Sequence, residues 1–178
     1  IIDENGKAKA FSRQGREFET LDVVTAEVDI VAGTYGLKDL VFDGELCLID
    51  KDGNEDFQGI MKQIRRKDHT IVNPKYKIFD VVTKAEFDAK VSKESLGDRI
   101  ANLKDFLDKI DTPVLSILPQ VVVTNETHFA SLNTEAKDKG YEGLMLRKDV
   151  AYEGKRTKNL LKVKSFFDEE YKVVDLDD

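Results

Sequence analysis

The chain has 178 residues but only one cysteine and two histidines, and these scarcities exclude several classes of site. A single cysteine cannot build a disulfide framework, and Cys47 lies in an apolar stretch that predicts a small buried hydrophobe in a reducing compartment. His69 and His128 have no metal-ligand spacing around them. The sequence therefore predicts neither a zinc site nor a Ser/His/Asp triad.

Long apolar runs are also missing. No stretch approaches the roughly 20 apolar residues that a membrane-spanning helix needs, so we expect no membrane partner and a cytoplasmic location. There is no internal repeat, low-complexity tract or linker rich in Pro, Gly or Ser. The length and the 40% hydrophobic content suit one domain with a closed core. The acidic run at 168–170 is the predicted boundary, so we expect one domain over 1–167 and a further segment over 168–178.

The net charge of −7 argues against a freestanding nucleic-acid-binding domain, which is expected to be basic. The charges are unevenly distributed, however. Seven basic residues and two acidic ones lie between Arg147 and Lys164, and four basic residues lie within 62–67. Basic strips on an acidic body are compatible with phosphate contacts at selected places. For the 62–67 cluster, a solvated charge run explains the pattern equally well.

The order of periodic segments predicts an α+β fold with mainly antiparallel sheets flanked by helices, because hairpins and sequential strands occur without strict βαβ alternation. An Asn-Gly turn at 5–6 predicts a hairpin over 1–18. Apolar spacing predicts helices at 20–31, ended by Gly33, and at 55–64 and 96–110. A further helix is predicted at 125–139, with Asn125 as its N-cap. Alternating or β-branched segments predict strands at 40–49, 76–82, 117–124, 143–148, 160–164 and 171–176.

Lys162 and Lys164 stand two positions apart in a predicted strand, so their side chains project from the same face. Two neighbouring ammonium groups repel each other unless an anion lies between them, and a phosphate suits that place. Glu142, on the neighbouring predicted strand, could supply an oxygen ligand to the divalent cation that accompanies nucleotide phosphates. Two solvated lysines on an edge strand are the alternative interpretation.

Five short segments, taken in order, resemble the ordered motifs of the ATP-dependent DNA ligases. They are Phe-Ser-Arg-Gln-Gly at 11–15, Val-Phe-Asp-Gly-Glu-Leu at 41–46, Tyr-Lys-Ile-Phe-Asp-Val-Val at 76–82, Glu-Gly-Leu-Met-Leu-Arg at 142–147 and Leu-Lys-Val-Lys at 161–164. The likeness is greatest to compact phage and bacterial ligases within the covalent nucleotidyltransferases. It implies two sheets around a nucleotide cleft, with an OB-fold domain starting near 168.

The resemblance also implies a role for each matched residue. It implies that Glu45 accepts a hydrogen bond from the ribose, that Phe79 stacks on adenine and that Arg13 belongs to the nucleotide and nick-phosphate region. It also implies that Glu142 is the metal-associated acid and that Lys162 and Lys164 contact the AMP phosphate. It implies ATP and Mg²⁺ as cofactors and nicked double-stranded DNA as the partner of a monomer. Other interpretations remain open: a core phenylalanine at 79, a hairpin-surface arginine at 13 and a strand-end surface glutamate at 45.

One motif of that family is missing. Its chemistry begins with a lysine in a Lys-x-Asp-Gly motif, which occurs nowhere in this sequence, and Lys51-Asp52-Gly53 lacks the spacer and predicts a turn. We therefore expect a fragment whose nucleophile lies upstream and which is itself inactive. Two alternatives stay open. One is an RNA ligase or capping-type nucleotidyltransferase, and the other is a catalytically dead remnant that binds nucleotide or DNA.

Overall fold

The computed structural model describes residues 1–51, 53 and 55–164, and it confirms the predicted α+β class. The helices are α1 (Asp22–Tyr35), α2 (Phe57–Gln63), α3 (Lys84–Ala89), α4 (Leu96–Leu107) and α5 (Glu126–Asp138). The strands are β1 (Leu40–Ile49), β2 (Glu55–Asp56), β3 (Pro74–Thr83), β4 (Leu115–Ile117), β5 (Gly143–Arg147) and β6 (Leu160–Lys164). The described residues divide into a first unit, 1–121 with 149–156, and a second unit, 122–148 with 157–164.

The first unit is built on a four-stranded sheet in the order β2-β1-β3-β4. The pairs β1–β2 and β1–β3 are antiparallel, whereas β3–β4 is parallel. Phe42 and Ile78 from the sheet join a hydrophobic core with Val31 of α1 and Leu103 of α4, both completely buried. Burial of this shared apolar surface is the main force that holds the helices on the sheet.

A β-bulge interrupts the pairing of β1 with β3. Asp43 lies opposite Asp80 but Gly44 lies opposite Ile78, which leaves Phe79 as an extra residue in β3. The backbones approach closely here, because a Cβ added at Gly44 would lie 2.5 Å from the carbonyl oxygen of Lys77. The glycine in the Asp-Gly-Glu segment is therefore required by packing at the bulge.

The bulge also explains why the strand predicted at 117–124 is wrong. The β4 ladder runs beside Tyr76–Ile78 and ends at Ile117. Beyond it, the backbone carbonyl of Phe79 accepts a hydrogen bond of 2.9 Å from the side chain of Gln120. The extra residue breaks the repeat of backbone partners that a longer parallel ladder would need.

Several predicted boundaries need correction. Gly33 does not end α1, which continues to Tyr35 and closes at Gly36, where φ is +64°. The helix predicted at 55–64 starts later than expected: Glu55 and Asp56 form β2, and Asp56 is also the N-cap of α2. Helix α3 was not predicted, although Thr83 and Glu86 form a capping box. The strand predicted at 171–176 lies outside the described residues.

The 1–18 hairpin is present as two tight turns. Isolated bridges join Ile2 to Ala8 and Phe11 to Glu17, and Gly6 has a φ of +77° in the first turn. In the second unit, the strands β5 and β6 pair antiparallel, with Gly143 opposite Lys164 and Met145 opposite Lys162.

Candidate functional site

The Ser-Arg-Gln-Gly turn presents Arg13 to solvent. The Ser12 hydroxyl accepts from the backbone N–H of Arg16 at 3.1 Å, and Gly15 adopts a φ of +79° that a side chain would disfavour. Arg13 is exposed and forms no hydrogen bond or ion pair with any residue that the structure describes. Its guanidinium is therefore held on a defined turn but is available to an anion.

Glu45 lies on β1 directly opposite Lys77 of β3. Glu45 is exposed, whereas the next residue, Leu46, packs against the core, as strand alternation requires. The ammonium group of Lys77 forms an ion pair with Glu55 of β2. Glu45 thus presents a carboxylate from a rigid central strand, which suits a hydrogen-bond acceptor for a hydroxyl.

Phe79 is the extra residue of the bulge. It is half-buried and does not belong to the hydrophobic cluster that its neighbours Ile78 and Val81 join. Bulges occur where a strand turns a side chain away from the regular alternation. Phe79 thus stands at the bulge and outside the shared apolar cluster.

A buried ion pair adjoins the bulge and was not predicted from the sequence. Arg99 donates from Nε to Asp80 Oδ1 at 2.7 Å and from Nη2 to Asp80 Oδ2 at 3.0 Å, and both side chains are about 3% exposed. The Nη1 group donates to the carbonyls of Glu94 at 2.7 Å and Val150 at 3.3 Å. The guanidinium is thereby satisfied on all sides, which a buried charge requires.

The segment 149–156 is anchored in the first unit by further hydrogen bonds. Asp149 Oδ1 accepts from the N–H of Gly97 at 2.8 Å, and the backbone N–H of Tyr152 donates to the Ser92 hydroxyl at 2.9 Å. Burial raises the pKa of the Tyr152 hydroxyl, and the nearby carboxylates of Asp43 and Asp80 raise it further. This phenol therefore stays neutral at physiological pH.

Two other titratable groups of the first unit are also held neutral. Burial, followed by the charge of Asp43, raises the pKa of Tyr76, whose hydroxyl donates to the Phe42 carbonyl at 2.7 Å. Burial likewise raises the pKa of the Cys47 thiol, which is 1% exposed. The expectation that Cys47 is a buried hydrophobe is confirmed.

Glu142 and Lys162 meet in the second unit. Their side chains form an ion pair of 3.1 Å between Oε2 and Nζ, although they are 20 residues apart in sequence. Both are substantially exposed, at 69% for Glu142 and 45% for Lys162. Lys164 occupies the end of β6 opposite Gly143. The strand pair thus brings together the predicted acid and the first of the two predicted lysines.

No group of three or more His, Cys, Asp or Glu side chains in the described residues could hold a metal ion by itself. The exposed carboxylate of Glu142 fits Mg²⁺, because proteins commonly bind this ion through one or two carboxylates together with substrate phosphates and water.

Within the residues that the structure describes, no helix is long and apolar enough to cross a membrane.

Comparisons with known proteins agree with this architecture. The solved structure Pmar-Lig_PreS3 superposes with a TM-score of 0.82 and 28% identity, over 93% of this chain and 39% of that one. The ATP-dependent DNA ligase of bacteriophage T7, in complex with ATP, superposes with a TM-score of 0.68 and 14% identity, over 92% of this chain and 57% of that one. The ligase domain of M. tuberculosis LigD superposes with a TM-score of 0.55 and 20% identity, over 88% of this chain and 47% of that one.

The chain spans about two fifths of the length of the Pmar-Lig structure. No curated protein sequence matches it. A family profile described as the ATP dependent DNA ligase domain matches residues 1–164. That match covers all five motif segments, and the chain therefore belongs to the ATP-dependent DNA ligase domain family.

Proposed function

We propose that this chain is the nucleotide-binding core of an enzyme that seals nicks in double-stranded DNA, through a lysine–AMP intermediate and then an AMP-capped 5′-phosphate. The observation that carries the proposal is the 3.1 Å pair between Glu142, the residue before β5, and Lys162 of β6, the strand that also carries Lys164. Phosphoryl transfer needs positioned cations and a metal-binding acid more than it needs covalent chemistry from the protein.

The Glu142–Lys162 pair is suited to exchange. Exposed ion pairs contribute only about 0–1 kcal/mol, so a nucleotide phosphate can replace Glu142 as the partner of Lys162 at little cost. Charge-assisted bonds from an ammonium to a phosphate are stronger than neutral ones. Mg²⁺ bound by the Glu142 carboxylate would neutralise phosphate charge.

The nucleoside contacts are assigned to residues of the first unit. Glu45 accepts a hydrogen bond from the ribose hydroxyl, and the ring of Phe79 stacks on adenine. Arg13 presents a planar guanidinium fork, which matches phosphate oxygens better than an ammonium does. Glu45 and Phe79 lie on the paired strands β1 and β3, so their spacing is set by the sheet.

The nucleophile is assigned outside these 178 residues, because they contain no Lys-x-Asp-Gly. In the proposed reaction, the lysine nitrogen bonds to the α-phosphorus of ATP while the bond to the β-phosphate oxygen breaks and pyrophosphate leaves. The chain alone should therefore bind ATP without forming a covalent adduct. The absent motif equally favours a second candidate, a catalytically dead protein that binds nucleotide or DNA.

The decisive experiment is ATP titration of the chain with Lys162→Ala and a matched control, Lys139→Ala. Lys139 lies in the same unit and forms a similarly exposed pair of 2.6 Å with Glu135. Hydrogen bonds to charged groups contribute about 1.5–3 kcal/mol, so Lys162→Ala should weaken ATP binding by roughly ten- to a hundredfold. Lys139→Ala should leave it unchanged, and equal effects of the two variants would overturn the assignment.

A denaturing gel after incubation with radiolabelled ATP and magnesium checks the covalent step. The chain alone should show no stable label. A labelled band that depends on a lysine of this chain would contradict the placement of the nucleophile outside it. If a longer protein that contains this chain and a Lys-x-Asp-Gly motif also fails to become labelled, the catalytically dead candidate is correct.

A further inference from the structure

The loop that follows α2 carries a cluster of cations. We define the cationic loop by Lys62 in the last turn of α2 and by Arg65, Arg66 and Lys67 after it, which are all exposed. One acidic residue, Asp68, lies in the stretch 62–70, so its local charge is four minus one, or +3, on a chain of net charge −7. The cluster belongs entirely to the first unit, whereas Glu142, Lys162 and Lys164 belong to the second.

The base of this loop is fixed by buried contacts. The hydroxyl of Thr20 donates to the carbonyl of Ile64 at 3.0 Å, and the carbonyl of Thr20 accepts from the N–H of Ile71 at 2.9 Å. Thr20, Ile64 and Ile71 are buried, with exposures of 1%, 8% and 0%. The His69 ring and the Gln63 side chain lie at hydrogen-bond distance, 2.9 Å, across the loop. One threonine thus closes the loop at both ends.

Among the residues that the structure describes, none neutralises the four cations. None of them forms an ion pair or side-chain hydrogen bond with any residue that the structure describes. Elsewhere in the first unit, by contrast, Lys7, Lys77 and Lys84 each pair with a carboxylate. The cationic loop therefore concentrates positive charge that no described residue balances.

Favourable interaction with the C-terminal end of α2 does not account for four cations. A cation near a helix C-terminus contributes typically about 0.3–1 kcal/mol, the effect falls off within the last turn, and Lys62 already occupies that place. Arg65, Arg66 and Lys67 lie beyond the helix and repel one another. An external polyanion would relieve that repulsion.

We propose that the cationic loop binds the sugar–phosphate backbone of duplex DNA, independently of base sequence. The inference rests on the proposed function and extends it to a second contact with the same DNA. Duplex DNA carries one negative charge per about 1.7 Å of its axis, so adjacent cations on a short loop can each meet a phosphate. On a chain of net charge −7, such a local positive surface is needed to approach DNA at all.

The test is the salt dependence of duplex binding by the full chain, without ATP. A short fluorescently labelled nicked duplex is titrated at a series of salt concentrations with Arg65→Gln/Arg66→Gln. The matched control is Lys104→Gln/Lys109→Gln, which removes the same charge from exposed residues in or just after α4, in a stretch that also contains Asp105 and Asp108. All four substituted side chains lack partners among the described residues, so the fold should be retained.

Each phosphate contact contributes about 0.9 to the slope of log Kobs against log salt, so the loop variant should lower its magnitude by about 1.8. The control should leave the slope unchanged, and Arg65→Lys/Arg66→Lys should restore it because the charge is kept. Equal slopes for loop and control variants, or no salt-dependent binding by the wild-type chain, would overturn the proposal. The measurement involves neither ATP nor ligation, so its outcome is independent of the Lys162 test.

Discussion

Two ion pairs in this molecule have similar chemistry and opposite surroundings. In the Asp80–Arg99 pair, both side chains are about 3% exposed and every guanidinium nitrogen donates a hydrogen bond. In the other pair, Glu142 is 69% exposed and Lys162 is 45% exposed. A buried charge that loses its partner is costly, whereas an exposed one is simply hydrated. The comparison teaches that burial makes the first pair costly to break, while exposure makes the second pair cheap to break, and the second is the pair that we propose exchanges its partner for a ligand.

The largest expected effect tests the structural half of this comparison. Arg99→Ala leaves the Asp80 carboxylate buried without its partner and removes the bonds to the Glu94 and Val150 carbonyls. We expect the free energy of unfolding in urea to fall by about 3–5 kcal/mol. The double variant Asp80→Leu/Arg99→Met should recover most of that loss, because no uncompensated charge remains. A loss below about 1 kcal/mol in Arg99→Ala would show that the pair does not hold the fold.

The next effect distinguishes binding from packing at the bulge. If Phe79 stacks on adenine, Phe79→Leu should weaken ATP binding by roughly ten-fold or more, since base–aromatic stacking contributes about 1–3 kcal/mol. Phe79→Tyr should retain binding because it keeps the ring face. The control is Ile78→Ala in the completely buried neighbour, which should lower stability by about 2–5 kcal/mol. A Phe79→Leu variant with lost stability and unchanged ATP affinity would mean that Phe79 is a core residue.

The smallest effect on stability tests the exchangeable half. Glu142→Ala should change the free energy of unfolding by no more than about 1 kcal/mol, because the ion pair it removes is exposed. In a longer ligase that carries the Lys-x-Asp-Gly nucleophile, the same change should reduce nucleotidyl transfer by orders of magnitude. Normal transfer by a well-folded variant would assign this acid a purely structural role.

Sequence reasoning succeeded where the determining interactions are local. The bounds of β1 and β6 were predicted correctly from their alternation, and Asn125 was correctly predicted to cap α5, where its side chain accepts from the N–H of His128 at 2.8 Å. The prediction for β4 failed because its length depends on the bulge at Phe79, in a strand far away in sequence. Boundaries set by a distant partner are not visible in local periodicity.

Arg99 could have been found from a signal that the helix prediction passed over. It lies three residues after Leu96 and four before Leu103, so it falls within the buried stripe of α4. A charged residue in such a stripe demands a buried partner, and Asp80 is the acid of the preceding strand. The roles of Arg13, Glu45, Phe79, Glu142, Lys162 and Lys164, and the division at 167, stay predictions.

The bulge at Phe79 has a consequence for how this strand can change in evolution. Ile78 and Val81 are three positions apart and both pack into the core, which an unbroken strand does not permit. Deleting Phe79 would leave Ile78 and Val81 two positions apart, and a regular strand places such residues on the same face, so both side chains would stay in the core and Asp80 would stay beside Arg99. Relatives that lack the extra residue should therefore be able to keep the buried arginine, so the insertion and the buried charge should vary independently.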